Sequence, residues 1–314
     1  MKFIFLKMRK IVITIGDPAG CGPFITLKSI YSLRNKNIDF FVVGDEKILE
    51  RVPAYEKVKK RFVLFDLNTK GIEEIKKGFS SKLSGKASFN YLNKALQILK
   101  NFKIKRLVTA PLSKEAVKLV YPKFLGHTEF LANYFKCKNF AMMMVSKKIK
   151  VVLFSRHLPL RKVSCKIKKG DYLELFKLIY SYLEKMFRIK NPKIATCSFN
   201  PHAGINTFLE KEEREILKAI KEFKKKIFGP FACDTLFVKE NLKKYDCIIA
   251  SYHDQAMIPF KLLSFKEGVN LTVGLPIIRT SPSHGVAYEI IKEEKNPFSS
   301  SMEEAIKLAL RLNL

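Results

Sequence analysis

The chain has 314 residues, of which 47% are hydrophobic, and its 59 lysines and arginines against 29 aspartates and glutamates give a net charge of +30. This length is typical of two domains of about 150 residues each, and no run of 18 apolar residues occurs, which excludes a membrane-spanning helix. Since the basic residues are spread along the whole chain without a nucleic-acid-binding motif, we expect neither a nucleic-acid nor a membrane partner, but a field that attracts anionic substrates.

The cysteines and the N-terminus indicate a cytoplasmic protein. The six cysteines form no C-x-x-C pair, and the apolar run within residues 1–7 is too short for a signal peptide. We therefore expect free thiols in a reducing compartment. Met8 is an alternative native start, because a strand-like segment follows it directly.

Strand-like and helix-like segments alternate along the chain, which predicts an α/β fold with mostly parallel sheets. The predicted strands cover residues 10–15, 40–43, 106–109, 151–154, 194–198, 247–250 and 272–275. The predicted helices cover residues 23–33, 87–99 and 209–226, and the last of these is strongly amphipathic.

A glycine-rich turn follows the first predicted strand. It begins at Gly16 and Asp17 and contains three glycines before the helix at 23–33. Glycines let a backbone turn tightly and approach a ligand closely. The pattern is neither G-x-G-x-x-G nor a Walker A loop, so it predicts a ligand-facing turn without defining the ligand.

The histidines are few, and all of them lie in turn-like phrases, at positions 127, 157, 202, 253 and 284. His157, His202 and His253 each follow a predicted strand closely. Because ligands bind beyond the carboxyl ends of parallel strands, these three imidazoles are expected to meet at one metal ion. Nitrogen ligands favour Zn²⁺ or Co²⁺ over Mg²⁺, and Asp254 is a candidate carboxylate behind the ligands.

Three polar residues follow His253 within a Gly- and Pro-rich, otherwise apolar segment. They are Lys261, Asn270 and Arg279. Lysine and arginine suit phosphate or carboxylate recognition, and asparagine offers both a donor and an acceptor. The segment is therefore a candidate binding region for an anionic substrate.

Ten phrases that stand in order between about residues 10 and 290 closely resemble the 4-hydroxythreonine-4-phosphate dehydrogenase family of pyridoxal phosphate biosynthesis. They include Gly16-Asp17-Pro18-Ala19-Gly20, Thr109-Ala110-Pro111-Leu112-Ser113-Lys114, Gly126-His127-Thr128, His157-Leu158-Pro159, Asn200-Pro201-His202-Ala203-Gly204, Asp234-Thr235-Leu236-Phe237, Tyr252-His253-Asp254-Gln255, Gly268-Val269-Asn270, Gly274-Leu275-Pro276-Ile277-Ile278-Arg279 and His284-Gly285.

The resemblance implies a two-lobed fold like that of isocitrate and isopropylmalate dehydrogenases, with the active site in the interlobe cleft. We expect residues 1–120 with 285–314 in one lobe and residues 121–284 in the other. It also implies a homodimer whose active site lies near the subunit interface.

The resemblance also assigns roles to individual residues. It implies a divalent metal (zinc, cobalt or magnesium) on His157, His202 and His253, and catalytic roles for Lys261 and Asp234. The implied substrate contacts are His127, Thr128, Lys261, Asn270 and Arg279. The implied contacts of NAD, or alternatively NADP, are Gly16, Asp17, His284 and Gly285.

The implied reaction is the oxidation of 4-phosphohydroxy-L-threonine by NAD to 2-amino-3-oxo-4-phosphohydroxybutanoate, which decarboxylates to 3-amino-2-oxopropyl phosphate during pyridoxine 5'-phosphate biosynthesis. Two alternatives remain. One is a related dehydrogenase of threonate or erythronate phosphate, and the other is a metal-dependent hydrolase, since a three-histidine site can also activate water.

The chain departs from the family pattern at four places. Phe24 replaces a usual glutamate, residues 205–208 replace a glycine-rich continuation, Pro282-Ser283 replaces Val-Asp, and residues 288–291 lack the usual Ala-Gly. The last change affects the expected cofactor loop, whereas the expected metal and substrate positions are intact.

Overall fold

The computed structural model describes residues 9–204 and 211–314. The strands are β1 Arg9–Thr14, β2 Ile38–Gly44, β3 Phe62–Asp66, β4 Arg106–Thr109, β5 Ala141–Val145, β6 Lys150–Leu153, β7 Ile194–Cys197, β8 Ile227–Phe231, β9 Cys247–Ala250, β10 Val269–Val273 and β11 Ile278–Pro282.

The helices include long elements that pack on the sheets and short connecting turns. They are α1 Gly22–Ser32, α2 Glu46–Leu49, α3 Tyr55–Val58, α4 Lys82–Asn101, α5 Lys114–Lys118, α6 His127–Tyr134, α7 Leu160–Val163, α8 Lys169–Lys185, α9 Lys211–Phe223, α10 Cys233–Leu236, α11 Lys239–Leu242, α12 His253–Ser264, α13 Tyr288–Lys292 and α14 Ser300–Arg311. Four 3₁₀ turns cover Lys59–Arg61, Ile72–Glu74, Ser164–Lys166 and Pro201–Gly204.

The chain forms two compact units. Unit 1 comprises Met1–Leu131 and Pro276–Leu312, and unit 2 comprises Ala132–Leu275 and Asn313–Leu314. The lobe boundaries expected from the sequence, near residues 120 and 285, stay an approximate prediction.

The strands of unit 1 run parallel in the order β3-β2-β1-β4-β11. β1 is buried from Ile11 onward, as is typical of a strand covered on both faces by helices. α4 begins with a capping box in which Ser81 and Ser84 bond each other's backbone N–H groups, so the helix starts at a defined residue.

The strands of unit 2 follow the order β10-β5-β6-β9-β7-β8. β5 pairs antiparallel with both β10 and β6, whereas β6, β9, β7 and β8 pair in parallel. Helix α9 packs on this unit with Ile216 fully buried, as its amphipathic pattern predicts. The predicted α/β class with mostly parallel strands is confirmed.

Several predicted elements need correction near the C-terminal third. The strand expected at 272–275 is β10, which ends at Val273 because Gly274 turns with φ 94°. A Cβ at Gly274 would lie 2.4 Å from the carbonyl oxygen of Asn139, so the chain must change direction there. Arg279 lies in a separate strand, β11, and His253 begins a helix, α12; neither element was predicted.

Part of the predicted helix at 209–226, and the departure at residues 205–208, lie outside the described residues. Within the described ranges, no helix has the combined length and apolarity that crossing a lipid bilayer would require.

Candidate functional site

Three neighbouring parallel strands of unit 2 lead into the histidine phrases. β9 lies between β6 and β7, with Leu153 opposite Ala250 and Thr196 opposite Ile249. The carboxyl ends of the three strands are therefore level at one edge of the sheet. This arrangement brings the segments that carry His157, His202 and His253 to the same edge, as the sequence predicts.

The imidazoles of His157 and His253 lie side by side. Their ring centroids are 5.7 Å apart and their planes are inclined by 40°. Nδ1 of His253 lies 3.0 Å from Oδ1 of Asp254. A carboxylate that accepts the Nδ1 proton leaves Nε2 as the basic nitrogen, which is the usual arrangement of a metal-binding histidine.

His202 lies in the tight turn Pro201–Gly204, where its φ is 54° and that of Ala203 is 56°. Left-handed backbone costs a residue with a Cβ about 1–2 kcal/mol, and such strain is concentrated at functional sites. Among the described residues, however, no three His, Cys, Asp or Glu side chains stand close enough to hold one ion. The imidazoles of His157 and His253 thus lie close together, whereas a ligand role for His202 beside them stays a prediction.

The donor chemistry of this edge fits a divalent transition metal. Two imidazoles and a carboxylate behind one of them are the ligand types that Zn²⁺ and Co²⁺ prefer. The site is also open, since the side chain of His253 is 42% exposed. The residues present therefore fit such an ion, with His202 as the predicted third ligand.

A chain of buried hydrogen bonds connects the three strand ends beneath the histidines. Ser155 Oγ donates to Ser251 O at 2.8 Å, and Ser251 N donates to Gln255 Oε1 at 2.7 Å. Gln255 Nε2 then donates to Ser198 O at 2.7 Å. The side chain of Gln255 therefore bridges the ends of β9 and β7, which bear His253 and His202.

The other predicted residues of unit 2 occupy different environments. Lys261 lies on α12, half-buried, with Nζ 5.3 Å from the ring centre of Phe265, and burial lowers its pKa. Asn270 lies on β10, and its Oδ1 is buried without a hydrogen-bond partner in the described part of the chain. Asp234 is exposed on α10, where Oδ1 accepts from the backbone N–H of Thr235 at 2.9 Å.

In unit 1, the predicted substrate residues form a cationic group. Arg279 is only 2% exposed, and its guanidinium donates to Thr109 Oγ1 at 2.6 Å. His127 and the buried Thr128 begin α6, whose first-turn N–H groups favour an anion. Lys114 acts electrostatically on His127 and was not among the predicted site residues.

Burial governs the protonation of this group. It lowers the pKa of Arg279 to about 10, partly offset by the carboxylate of Glu129. Burial also lowers the pKa of His127 well below its usual value, and the charges of Arg279 and Lys114 add to this effect. At neutral pH the group therefore presents a neutral imidazole beside a guanidinium.

The four residues predicted to contact the cofactor belong to neighbouring segments of unit 1. Gly16 has φ 71°, and a Cβ there would lie 2.2 Å from Pro111 O. Cys21 N donates to Val286 O at 2.9 Å, which attaches the glycine-rich turn to the segment after His284 and Gly285. Gly285 has open space around the position of a Cβ.

Asp17 is fully buried within this turn. Its Oδ1 accepts from Ala19 N at 2.8 Å and its Oδ2 from the hydroxyl of Tyr288 at 2.7 Å. Burial raises the pKa of the carboxyl group, while the bond from Tyr288 opposes this shift. Tyr288 begins the segment 288–291, so this segment contacts the predicted cofactor turn directly.

A cavity of about 560 Å³ in unit 1 adjoins the same turn. Phe24, another departure from the family pattern, lines it together with Phe79. Its basic lining residues are Arg51, Lys77, Lys292 and Lys295. Aromatic and cationic groups around one cavity suit a ligand with both a planar ring and phosphates.

Three residues that serve the site were missed from the sequence. Lys114 stands within a quoted family phrase, and its position after a strand end was the available signal. Gln255 follows His253 in another such phrase. Glu213, fully buried on α9, accepts from the backbone N–H groups of Phe199 and Asn200, just before His202. It has no local signal, because one glutamate among several at the start of an amphipathic helix is normally a solvated charge.

The family described as "Pyridoxal phosphate biosynthetic protein PdxA" matches residues 32–309. A 4-hydroxythreonine-4-phosphate dehydrogenase from Sulfurihydrogenibium sp. is 37% identical over 97% of this chain and 98% of its own length.

A second relative and a solved structure extend the comparison. A D-threonate 4-phosphate dehydrogenase from Salmonella typhimurium is 33% identical over 98% of this chain and 100% of its own length. The crystal structure of a 4-hydroxythreonine-4-phosphate dehydrogenase from Klebsiella pneumoniae superimposes with a TM-score of 0.82 at 30% identity, covering 97% of this chain and 98% of that one.

Proposed function

The chain belongs to the family of the pyridoxal phosphate biosynthetic protein PdxA, and on that premise we propose that it oxidises 4-phosphohydroxy-L-threonine with NAD and a divalent metal. The product, 2-amino-3-oxo-4-phosphohydroxybutanoate, then loses CO₂ to give 3-amino-2-oxopropyl phosphate. The observation that carries this proposal is the pair of imidazoles, His157 and His253, with ring centroids 5.7 Å apart at the level strand ends of unit 2.

Within this proposal, His157, His202 and His253 would hold the metal. A bound ion would supply Lewis-acid stabilisation of negative charge on the oxygen of the substrate's secondary alcohol, and NAD would supply the hydride acceptor. Asp254, whose Oδ1 lies 3.0 Å from Nδ1 of His253, would accept the proton of that nitrogen and leave Nε2 available as the ligand atom.

Lys261 is the proposed proton-transfer group. Its ammonium is half-buried, and burial lowers its pKa, which brings it closer to the range where an amine exchanges protons during turnover. In the first step it would receive the alcohol proton, and in the second it would return a proton to the carbon that loses CO₂. The positive charge of its ammonium would also stabilise the negative charge of the developing enolate.

Recognition of the phosphorylated substrate is assigned to the cationic group of unit 1 and to Asn270. Arg279 supplies a buried planar donor set, and Thr128 with the first-turn N–H groups of α6 supplies further donors. Asn270 Oδ1, buried and without a protein partner in the described residues, suits a substrate donor such as an ammonium or hydroxyl. Asp234, exposed on α10, stays a proposed catalytic residue.

The cofactor is assigned to the glycine-rich turn of unit 1 and the cavity beside it. In this proposal Gly16, Asp17, His284 and Gly285 would contact the dinucleotide, and the cavity lined by Phe24 would hold its adenine ring. The basic lining fits the phosphates of NAD and equally the extra phosphate of NADP. Calorimetry with both dinucleotides tests this assignment, and a failure of both to bind would contradict it and favour a hydrolase.

The substrate proposal is tested by a panel offered to the metal-loaded protein with NAD. We expect NADH formation with the highest kcat/KM for 4-phosphohydroxy-L-threonine, compared with D-threonate and D-erythronate 4-phosphates. The alternative rests on the Salmonella typhimurium relative named a D-threonate 4-phosphate dehydrogenase. A higher kcat/KM for D-threonate or D-erythronate 4-phosphate, which lack the amine, would establish that alternative and overturn the main assignment.

We also propose a homodimer. On α12 and its C-terminal cap, Ile258, Leu262 and Phe265 recur at helical spacing with 60%, 83% and 66% of their surfaces exposed. Such an apolar stripe on a charged surface is typical of a protein interface. Because the same helix carries His253 and Lys261, a partner bound there would lie close to the proposed metal site.

A cytoplasmic location is proposed from the biosynthetic family and from the thiols. All six cysteines are free, as a reducing compartment would keep them. The proposed partners are then the small phosphorylated substrate and a second copy of the chain, without nucleic acid or membrane.

A further inference from the structure

One buried carboxylate of unit 2 has no part in the chemistry proposed above. Glu213 lies in the first turns of α9 and is fully buried. Its Oε1 accepts from the backbone N–H groups of Phe199 at 2.9 Å and Asn200 at 2.8 Å. Its Oε2 accepts from the side-chain amide of Asn200 at 2.8 Å.

The three donors all belong to the segment that leads into His202. An ionised carboxylate is expensive to bury unless it is fully hydrogen-bonded, and here its partners are N–H groups of a single loop. Such bonds fix both the backbone and the side chain of Asn200. The turn Pro201–Gly204, with its two left-handed residues, begins directly after this anchored position.

The other side of the loop is fixed as well. Ser198 Oγ donates to Asn200 O at 2.8 Å, and Ser198 O accepts from Gln255 Nε2 at 2.7 Å. The loop is therefore held between α9, through Glu213, and the first turn of α12, through Gln255. His253 is the first residue of that turn of α12.

We propose that Glu213 is a positioning residue of the metal site, which sets the place of His202 relative to His157 and His253. The inference rests on the proposed metal site, and it concerns the length and direction of the Glu213 side chain rather than its charge. The strained turn makes the anchor necessary, because a strained conformation persists only where its surroundings hold it in place.

The experiment compares Glu213→Asp with Glu213→Gln. Aspartate keeps the charge but withdraws the carboxylate by about 1.5 Å. Glutamine keeps the length, and its Oε1 can still accept from both backbone N–H groups, whereas its amide cannot accept from Asn200, whose side-chain amide also bonds Glu212. Glu222→Asp, at an exposed position on the same helix, is the matched control.

Each variant is titrated with Co²⁺, and the visible absorption spectrum of the bound Co²⁺ monitors binding. The melting temperature of each variant is measured as well. We expect Glu213→Asp to weaken Co²⁺ binding about 10–100-fold, the usual range for residues behind metal ligands, and to change the spectrum. Glu213→Gln should bind within about threefold of wild type, and Glu222→Asp should match wild type.

Two results would overturn the inference while leaving the metal site in place. One is a folded Glu213→Asp protein with the Co²⁺ affinity and spectrum of wild type. The other is stronger weakening by glutamine than by aspartate, which would make the charge of Glu213 rather than its length the important property. If Glu213→Asp does not fold, Asn200→Ser removes the Oε2 bond from the loop side, and unchanged Co²⁺ binding there would also overturn it.

Failure of the proposed function gives a different result. Wild-type protein that develops no Co²⁺ spectrum would overturn the metal site itself and this inference with it. A wild-type spectrum with an unaffected aspartate variant would overturn the inference alone.

Discussion

The histidines of unit 2 are distinguished by what surrounds them rather than by their number. His253 has Asp254 on Nδ1, and His157 has His253 beside it, so each ring has a neighbour suited to metal binding. These neighbours were predictable, since the residues follow strand ends and Asp254 follows His253 directly. The position of Glu213 was not, because its role depends on which distant backbone groups the fold brings to it.

At the residue scale, Lys261→Met should lower kcat about 100-fold or more, the usual contribution of a general acid or base. Metal affinity should be unchanged, because Lys261 is not among the predicted ligands. Steady-state kinetics and Co²⁺ titration measure the two quantities. Lys243→Met, at an exposed position, is the control. A variant that retains wild-type kcat would remove Lys261 from the chemistry.

His127 should titrate at an unusually low pH. Burial first, and then the charges of Arg279 and Lys114, lower the pKa of its imidazole. Because the folded-state pKa lies below the unfolded value of about 6.5, its contribution to stability is complete above that pH and is lost as the pH falls further. NMR titration of the ring protons should find a neutral ring at pH 6, and a charged one would contradict the assignment. Arg279→Met should raise this pKa.

At the element scale, continuous apolar runs predicted β1, β6, β7 and β9, because strands buried on both faces need no alternation. The helical spacing of its apolar residues predicted α9 equally clearly. The sequence did not predict β11 or α12, because proline and polar residues occur in both segments, and Pro259 lies inside α12. Tertiary contacts stabilise these two elements, and local propensity does not reveal such contacts.

Gln255 connects two of these elements, and Gln255→Leu should weaken the connection. The change leaves the Ser198 carbonyl and the Ser251 N–H without their partner, at a cost of about 1–3 kcal/mol for each group. We expect the melting temperature to fall by several degrees and Co²⁺ affinity to fall with it. Gln97→Leu, exposed on α4, is the control. Equal melting temperatures for both variants would show that the bridge is unimportant.

At the scale of the whole molecule, the alternation of strands and helices predicted the fold class, and ten motifs in order identified the family. The net charge of +30 is spread over the surface, whereas the cations that matter for function are few and partly buried, such as Arg279. Amino-acid composition alone could not distinguish the dispersed surface cations from the few that are partly buried. The left-handed turn that carries His202 also could not be predicted, because two left-handed residues without glycine leave no mark in the sequence.

Subunit association belongs to this scale. Leu262→Glu places a charge in the exposed apolar stripe of α12 and should convert a dimer of 36.2 kDa chains into monomers. Analytical ultracentrifugation measures the mass. Val63→Glu, which alters an equally apolar exposed residue of β3, should remain dimeric. A wild-type protein that sediments as a monomer would contradict the proposed dimer directly.

The central claim is that remote histidines share one divalent ion. Anomalous diffraction at the zinc edge, from crystals grown with Zn²⁺ and 4-phosphohydroxy-L-threonine, tests it most directly. The account predicts one strong peak about 2.0–2.1 Å from a nitrogen of each of His157, His202 and His253, with the substrate's alcohol oxygen on the same ion. A peak elsewhere, or three imidazoles that share no ion, would contradict it.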